Sequence, residues 1–257
     1  MSKTFMLIHG AWVTTKCWDN IRSFLEKQEH HVIVPAWPYM DRPVEELRAN
    51  PDHRIAALTI KDLVDHFDNI IRTLPEKPVL VGHSFGGLIV QMLLDRGLGA
   101  AGVAIDAGPP RGVLPSPRAI LSALPVLTTW RGWGKILTMP PKSFSATFAN
   151  SLPEAEIPEV YKQQIVPAPG RIYFQAAIGI GNGVTFNSKI RPPLLLLAGL
   201  EDRTSTPSMV RAMYKKHSRA STRTAYKEFT GASHWLIADA GWQGVAEAIA
   251  AWSDLDG

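Results

Sequence analysis

The chain has 257 residues, which fits one α/β domain with an insertion or at most two small domains. Its 46% hydrophobic and 19% charged content predicts a globular protein with an apolar core. The formal charge is only +4 and the basic residues are scattered, which argues against a nucleic-acid-binding protein. The loose group Arg111, Arg118, Arg131 and Lys135 is expected to be solvated surface.

The chain begins with a predicted strand rather than a basic stretch followed by a long apolar one, so no signal peptide is visible. No apolar run approaches the ~18 residues that a membrane span needs. Cys17 is the only cysteine, which excludes a disulfide within the chain and suits a reducing compartment. We therefore expect a cytoplasmic protein without a membrane partner, and we expect Cys17 to be buried in a helix.

Strand-like apolar runs alternate with helical spacing along most of the chain. Strands are predicted at 4–8, 31–35, 79–81, 101–105, 194–198 and 224–229. Helices are predicted at 16–29, 59–74, 88–94, 207–217 and 242–252. This alternation predicts an α/β fold, with a mainly parallel sheet of about six strands and helices on both faces. In such sheets, functional residues gather after the carboxyl ends of the strands.

Residues 109–188 break the alternation. Prolines recur through this segment, and short helical patterns such as 118–130 and 143–151 lie between them, among many aromatic residues. We therefore predict an inserted helical lid at 109–188. The α/β core then comprises 1–108 and 189–257.

A candidate nucleophile, Ser84, lies in the stretch 79–90, which reads V-L-V-G-H-S-F-G-G-L-I-V. The pentapeptide G-H-S-F-G at 82–86 separates an apolar strand from an apolar helical pattern, which is the context that a G-x-S-x-G motif requires. In that context Ser84 takes a strained backbone conformation on a sharp turn. The helix that follows favours negative charge at its N-terminus.

A serine hydroxyl is a weak nucleophile and needs a base to remove its proton. His234, which follows the last predicted strand, is the favoured base. His9 and His83 are the rivals. Because neighbours in a tight turn diverge, we expect His83 to pack or to form a hydrogen bond elsewhere, and His9 to support the backbone of its own loop.

The base needs an acid that orients it. Asp202, which follows the strand at 194–198, is the favoured candidate. Glu201 beside it is one alternative. Asp106, at the end of the strand at 101–105, is another, and its competing role is to cap the turn at Gly108.

An oxyanion hole requires two N–H donors that point to the site where negative charge develops. The backbone N–H of Phe85, directly after Ser84, is the first candidate. The second should come from the turn at 9–12, at Trp12 or Ala11.

These pieces together resemble the α/β-hydrolase fold superfamily of the serine hydrolase type. The similarity lies in L-I-H-G at 7–10, the glycine-rich turn at 82–87, G-x-x-D at 199–202 and S-H-W at 233–235. The stretch L-I-H-G-A-W at 7–12, with C-W at 17–18, is similar to the methylesterase and hydroxynitrile lyase branch. The resemblance implies a lid inserted after the family's sixth strand and no cofactor.

Other chemistries occur in this family, and two residues separate some of them. Dehalogenases and epoxide hydrolases of this fold use an aspartate nucleophile, where this chain has Ser84. Hydroxynitrile lyases of the similar branch place a lysine next to the base, where this chain has Trp235, which argues against a lyase. Cofactor-free dioxygenases and C–C bond hydrolases keep the same three residues and stay open, as does a non-catalytic ligand-binding protein.

The reaction expected from these residues is hydrolysis of a small, apolar or aromatic carboxylic ester or lactone through an acyl-enzyme. Trp12 and Trp235 at the predicted site, with Trp130 and Trp133 of the predicted lid, are the candidate pocket residues. For Trp130 and Trp133, a small core within the lid is an equal alternative. The expected partner is a small-molecule substrate, and a homodimer stays open.

Overall fold

The computed structural model describes residues 2–254. Its main sheet has six strands, and every neighbouring pair is parallel. The main strands are β1 (Thr4–Ile8), β2 (His31–Ile33), β3 (Val79–His83), β4 (Ala101–Ile105), β7 (Leu194–Gly199) and β8 (Thr224–Phe229). Their order across the sheet is β2-β1-β3-β4-β7-β8. The predicted α/β class and six-stranded parallel sheet are confirmed.

Helices connect these strands. Within residues 2–254 the α-helices are α1 (Asp19–Glu26), α2 (Val44–Ala49), α3 (Ile60–Thr73), α4 (Phe85–Asp95), α5 (Pro117–Leu127), α6 (Pro141–Ser143), α7 (Ile157–Gln164), α8 (Gly170–Ile178), α9 (Pro207–His217) and α10 (Trp242–Asp254). Short 3₁₀-helical turns cover Thr15–Trp18, His53–Ala57 and Gly132–Gly134, and a short π-helix covers Phe144–Phe148. None of the helices in this part of the chain is both long and apolar enough to cross a membrane.

The central strands β1, β3, β4 and β7 are buried along their whole length. A parallel strand that is covered on both faces needs an apolar or small residue at nearly every position, because neither face meets water. The sequence L-L-L-L-A-G of β7 meets this requirement. Each fully buried leucine contributes ~1.5–3 kcal/mol relative to an exposed one.

The strand order reverses between β1 and β3. From β1 the chain passes outward to β2, and it then crosses back so that β3 pairs with the other side of β1. Where the strand order reverses, the loops after the two neighbouring strands turn away from each other. They leave a crevice between them at the carboxyl edge of the sheet. The turn at 9–12 follows β1, and Ser84 follows β3, so both lie at this crevice.

Several predicted boundaries differ from the observed ones. The predicted helix at 16–29 is a 3₁₀ turn followed by the shorter α1, and β2 ends at Ile33 rather than at 35. The helix start at Thr59 is confirmed: its side chain accepts from the N–H of Asp62, whose carboxylate accepts from the N–H of Thr59. Cys17 is buried, as expected, but in the 3₁₀ turn.

Between β4 and β7 the chain leaves the main sheet. Segment 109–188 contains α5 to α8 and a second, antiparallel sheet formed by β5 (Ile136–Leu137) and β6 (Ala168–Pro169). The sequence patterns missed α7, α8 and this small sheet. The proline pattern predicts interrupted helices there. In the structure α5, α6 and α7 each carry a proline in the first turn, where the N–H that proline lacks has no acceptor within the helix.

The turn after β3 is packed against its surroundings too closely for side chains. A Cβ at Gly82 would lie 2.2 Å from the carbonyl oxygen of Gly86, and a Cβ at Gly86 would lie 2.1 Å from that of Ile8. Both obstacles are backbone atoms of the central sheet and of α4, so they cannot move aside as a flexible side chain could. The two outer glycines of the motif are therefore required by space.

Gly82→Ala is expected to lower the free energy of unfolding by at least about 2 kcal/mol, because the added methyl overlaps backbone. Urea unfolding followed by circular dichroism measures this loss. Gly134→Ala is the matched control, since a Cβ there has no atom within 4 Å, and it should change stability by less than about 0.5 kcal/mol. Equal effects of the two substitutions would contradict the packing argument.

Candidate active site

Ser84 has the strained backbone predicted for it. Its φ is 57° and its ψ is −121°, a conformation that residues with a side chain rarely adopt. Hydrogen bonds on both sides hold it there: Ser84 N donates to Ile105 O at 2.9 Å, and Gly108 N donates to Ser84 O at 2.9 Å. The turn is thus tied to the end of β4, and the side chain is presented at the carboxyl edge of the sheet.

The turn after β1 lies directly against Ser84. A Cβ at Gly10 would lie 2.7 Å from Ser84 Cβ and 3.3 Å from Ser84 Oγ, so this turn approaches the serine through a residue without a side chain. Trp12 has a φ of 66°, which turns its backbone sharply. The N–H of Phe85 is the first of α4, and such an N–H has no acceptor within its own helix. The predicted oxyanion donors therefore lie on two segments that meet at Ser84. Ala11 and Trp12 belong to the turn after β1, and Phe85 directly follows the serine.

Asp202 and His234 form a buried pair. His234 Nδ1 donates to Asp202 Oδ2 at 2.6 Å, and neither side chain is exposed. The other carboxylate oxygen, Oδ1, accepts from Thr204 N at 2.6 Å and from Ser205 N at 3.0 Å. These three bonds fix the carboxylate, and they leave His234 Nε2 as the ring atom that can accept a proton.

Ser84 and His234 lie at the same end of the sheet but are not hydrogen-bonded. His234 Nε2 has no partner among residues 2–254. The serine's neighbour His83 connects the two loops, since His83 Nε2 donates to the carbonyl oxygen of His234 at 2.7 Å. Hydrogen bonds between catalytic groups are often missing or poorly aligned before substrate binds. Burial holds the pKa of His83 well below its usual range, so His83 is neutral and structural.

His9 supports the backbone of its loop, as expected. Its Nε2 accepts from Trp37 N at 3.2 Å, so the proton is on Nδ1, which donates to Gly10 O at 2.8 Å. Burial lowers the pKa of His9 to about 4, so the ring is neutral at physiological pH. His9 therefore orients the turn that faces Ser84.

Asp106 is not the partner of His234, although the sequence left it open as one. Its Oδ1 accepts from Gly199 N at 2.9 Å, which joins β4 to β7. Burial raises the pKa of Asp106 well above its usual range, and the neighbouring Asp202 carboxyl raises it further. Both effects favour the protonated form of Asp106. The other alternative, Glu201, is exposed.

One oxygen each of Asp106 and Asp202 and a ring nitrogen of His234 lie within 4.8 Å of one another. Carboxylate oxygens and imidazole nitrogens are also common metal ligands. The facing atoms of Asp202 and His234 already bond to each other at 2.6 Å, so a cation would have to break that bond. The cluster therefore fits a hydrogen-bonded relay better than a metal site.

A cavity of about 480 Å³ opens beside Ser84. It lies between the main sheet and segment 109–188, and its walls are mostly apolar. From the core it is lined by Trp12, Ser84, Phe85, Leu88 and Met209. From segment 109–188 it is lined by residues such as Val113, Ala123, Met139, Phe148 and Tyr173. The sequence analysis did not predict that Phe148 and Tyr173 line the cavity. Their aromatic character was the feature that could have indicated it.

Only one of the four predicted pocket tryptophans lines this cavity. Trp12 does so, stacked on Tyr173 with ring centroids 4.6 Å apart. Trp235 instead packs behind Phe148, and it is only 2% exposed. Trp130 and Trp133 are 81% and 50% exposed and do not line the cavity; Trp133 packs edge-on against Phe174. These three predictions are wrong.

A parallel sheet with a serine on a strained turn and a buried aspartate–histidine pair at its carboxyl edge defines a class, the proteins with a nucleophile elbow. A family model described as the alpha/beta hydrolase family matches residues 5–248. The chain belongs to the alpha/beta hydrolase family.

Similarity to individual proteins is weaker. The chain is 32% identical over 94 residues to Methylesterase 2 of Arabidopsis thaliana, covering 36% of this chain and 34% of that protein. It is 30% identical over 95 residues to norfluorocurarine synthase 2 of a Strychnos species, covering 36% and 33%. The chain therefore matches these curated relatives over about a third of their length. These matches support the predicted methylesterase-like branch.

Solved structures share the whole fold. Polyneuridine aldehyde esterase superposes with a TM-score of 0.70 at 17% identity, covering 98% of this chain and 100% of that one. At this identity the likeness shows the fold alone.

Asp106→Asn is expected to gain stability relative to the wild type as pH rises from 5 to 8. The folded pKa of Asp106 is raised, so the wild type is favoured at low pH and loses stability above pH ~4, where the unfolded carboxyl ionises. The loss approaches ~1.4 kcal/mol per pH unit while the folded group stays protonated. Asparagine resembles the neutral acid in shape and has no such cost.

Urea unfolding of both proteins at several pH values measures this difference. Asp41→Asn, at an exposed position, is the control and should leave the pH dependence unchanged. A difference between Asp106→Asn and wild type that stays constant with pH would mean that Asp106 is ionised in the folded protein.

Proposed function

We propose that this chain is a serine hydrolase that cleaves a small, apolar or aromatic carboxylic ester or lactone through an acyl-enzyme. The observation that carries the proposal is the buried 2.6 Å hydrogen bond between His234 Nδ1 and Asp202 Oδ2, beside a serine on a strained turn. Two of the similar proteins are named as esterases, which supports ester hydrolysis as the reaction.

In the proposed first step, Ser84 Oγ attacks the carbonyl carbon while His234 Nε2 takes the hydroxyl proton. The Asp202 carboxylate stabilises the imidazolium that forms, and it keeps the proton of Nδ1 in place. This role fits the geometry, because Asp202 already accepts two backbone N–H groups and cannot rotate away from the ring. Its other oxygen is thereby directed to His234.

The attacked carbonyl oxygen becomes negative and needs donors. The N–H of Phe85 and an N–H from the turn at 9–12, at Trp12 or Ala11, are proposed to supply them. His234 then gives its proton to the leaving alcohol, and the acyl group stays on Ser84. Water, activated by His234, hydrolyses this ester and restores the serine. The proposed steps use side chains and backbone N–H groups of this protein together with water, and the absence of a cofactor stays a prediction.

The proposed substrate class follows from the cavity beside Ser84. Its aromatic and aliphatic walls favour an apolar acyl or alcohol group. Segment 109–188 supplies much of this wall, so we propose that it acts as the lid, with the α/β core at 1–108 and 189–257. A cytoplasmic location also remains a prediction.

Ser84→Ala is expected to reduce kcat/KM for p-nitrophenyl acetate and butyrate by at least ~10³-fold, because it removes the nucleophile. His234→Ala should lower it by a similar factor. Release of p-nitrophenol measures both rates. The control is Ser218→Ala, an exposed serine at the end of α9, which should keep wild-type activity.

The two substitutions also separate hydrolysis from other reactions of the same residues. C–C cleavage or oxygenation would depend on His234 but would persist in large part in Ser84→Ala. Wild-type ester cleavage by Ser84→Ala, in a protein with unchanged circular dichroism, would contradict the acyl-enzyme proposal.

A further inference from the structure

Helix α5 is apolar both toward the cavity and toward solvent. Ala119, Ile120, Ala123 and Leu127 line the cavity, and Ile120 is also 45% exposed. Leu121 and Leu124 do not line it and are 63% and 39% exposed. A helix that is apolar on all sides is normally buried, because the core of the protein covers only one face of a helix at the surface. The outer side of α5 therefore lacks a cover within residues 2–254.

These residues are part of a larger exposed surface around the cavity entrance. Leu114 and Ile178 both line the cavity and are 84% and 68% exposed. We call the five residues Leu114, Ile120, Leu121, Leu124 and Ile178 the apolar rim. Contiguous exposed apolar surface of this kind usually marks an interaction site rather than chance exposure. Three of the five rim residues also line the cavity, so the rim borders the cavity entrance.

The charged residues of the segment between Asp106 and Glu154, which contains four of the five rim residues, all have one sign. The chain carries no acidic residue between Asp106 and Glu154, whereas it carries five exposed basic residues there: Arg111, Arg118, Arg131, Lys135 and Lys142. None of the five forms an ion pair within residues 2–254. The acidic residues that follow lie around α7, whose C-terminal end contacts Arg48 rather than α5. The segment that carries four of the five rim residues is therefore apolar and positive, with Arg118 on α5 itself and Arg111 at the cavity.

A second copy of the chain is a poor occupant for such a surface. In a two-fold dimer the same patch meets itself, so the uncompensated basic residues of both copies would come together, at a cost in electrostatic repulsion. An occupant with negative charge and an apolar interior avoids this cost. The headgroups and acyl chains of an anionic bilayer have both properties.

We propose that the apolar rim docks on an anionic lipid bilayer, with its aliphatic side chains at the headgroup boundary and the basic residues beside lipid phosphates. Trp130 agrees with this orientation. It is 81% exposed, lies three residues beyond the end of α5, and is of the residue type enriched at bilayer interfaces. The cavity entrance then faces the lipid. Binding to the bilayer does not depend on the proposed hydrolase activity.

The sequence-based expectation of no membrane partner rested on the lack of a spanning segment. That observation does not bear on binding at the surface of a bilayer, which requires only exposed apolar side chains and positive charge. The four basic residues first expected to be plain solvated surface are part of the proposed contact.

The test is sedimentation of the full chain with vesicles of phosphatidylcholine alone and with vesicles that contain about one third phosphatidylglycerol. We expect binding to the anionic vesicles that weakens at high salt. The double substitution Leu121→Ser with Leu124→Ser should weaken binding at least tenfold. Neither residue lines the cavity beside Ser84, so cleavage of p-nitrophenyl acetate in solution should not change. Ser84→Ala should bind vesicles like the wild type.

Ile190→Ser is the matched control. Ile190 is 73% exposed but precedes β7, at the amino-terminal edge of the sheet, and its replacement should leave vesicle binding unchanged. Trp130→Phe should remove most of the blue shift in tryptophan emission that anionic vesicles cause.

Absence of binding to anionic vesicles would overturn the proposal, as would equal binding by the double variant with an unchanged melting temperature. If Leu121→Ser with Leu124→Ser instead converts a dimer to a monomer in sedimentation velocity, a second copy covers the rim and the proposal is wrong.

Discussion

The positive φ of Ser84 depends on close approach of backbone from three directions. The end of β4 accepts its N–H, Gly108 donates to its carbonyl, and Gly10 brings the turn after β1 against its side chain. Each contact comes from the end of a neighbouring strand or from the loop that follows it. The strain of ~1–3 kcal/mol that such a residue carries is therefore supported by the core as a whole, which is why the serine is held with little freedom.

The rest of the site depends on the same edge of the sheet. The loop after β7 supplies Asp202, and the loop after β8 supplies His234, so the bond between them links two further strands. His83, beside the serine, donates to the carbonyl of His234 and connects the two halves. Asp106 completes the arrangement. Because its Oδ1 accepts from Gly199 N, it ties β4 to β7, and burial raises its pKa.

The sequence predicted the sheet and the placement of Ser84, Asp202 and His234 after its strands, because both depend on local order. A strand, a turn rich in glycine and a helix are contiguous in the chain, and parallel strands bring their carboxyl ends to one edge. The role of Asp106 was not predictable in this way. The raised pKa of Asp106 depends on burial and on the nearby Asp202, which lies 96 positions further along the chain and is close only in the fold.

The cavity was poorly predicted for the same reason. Residues 109–188 have no repeating order of strands and helices, and the direction of each aromatic ring depends on turns that the sequence does not specify. Trp130 and Trp133 face solvent, whereas Phe148 and Tyr173 face the cavity. Segment 109–188 thus has two apolar surfaces. One lines the cavity beside Ser84, and the other is exposed and also carries basic residues.

The most direct test of the account is to treat the folded protein with a fluorophosphonate and to map the modified peptide by mass spectrometry. The account predicts one phosphonyl group, on Ser84, with labelling that slows strongly in His234→Ala because the base is missing. Modification of a different residue, or no modification of the folded wild-type protein, would contradict the assignment of Ser84 as the nucleophile.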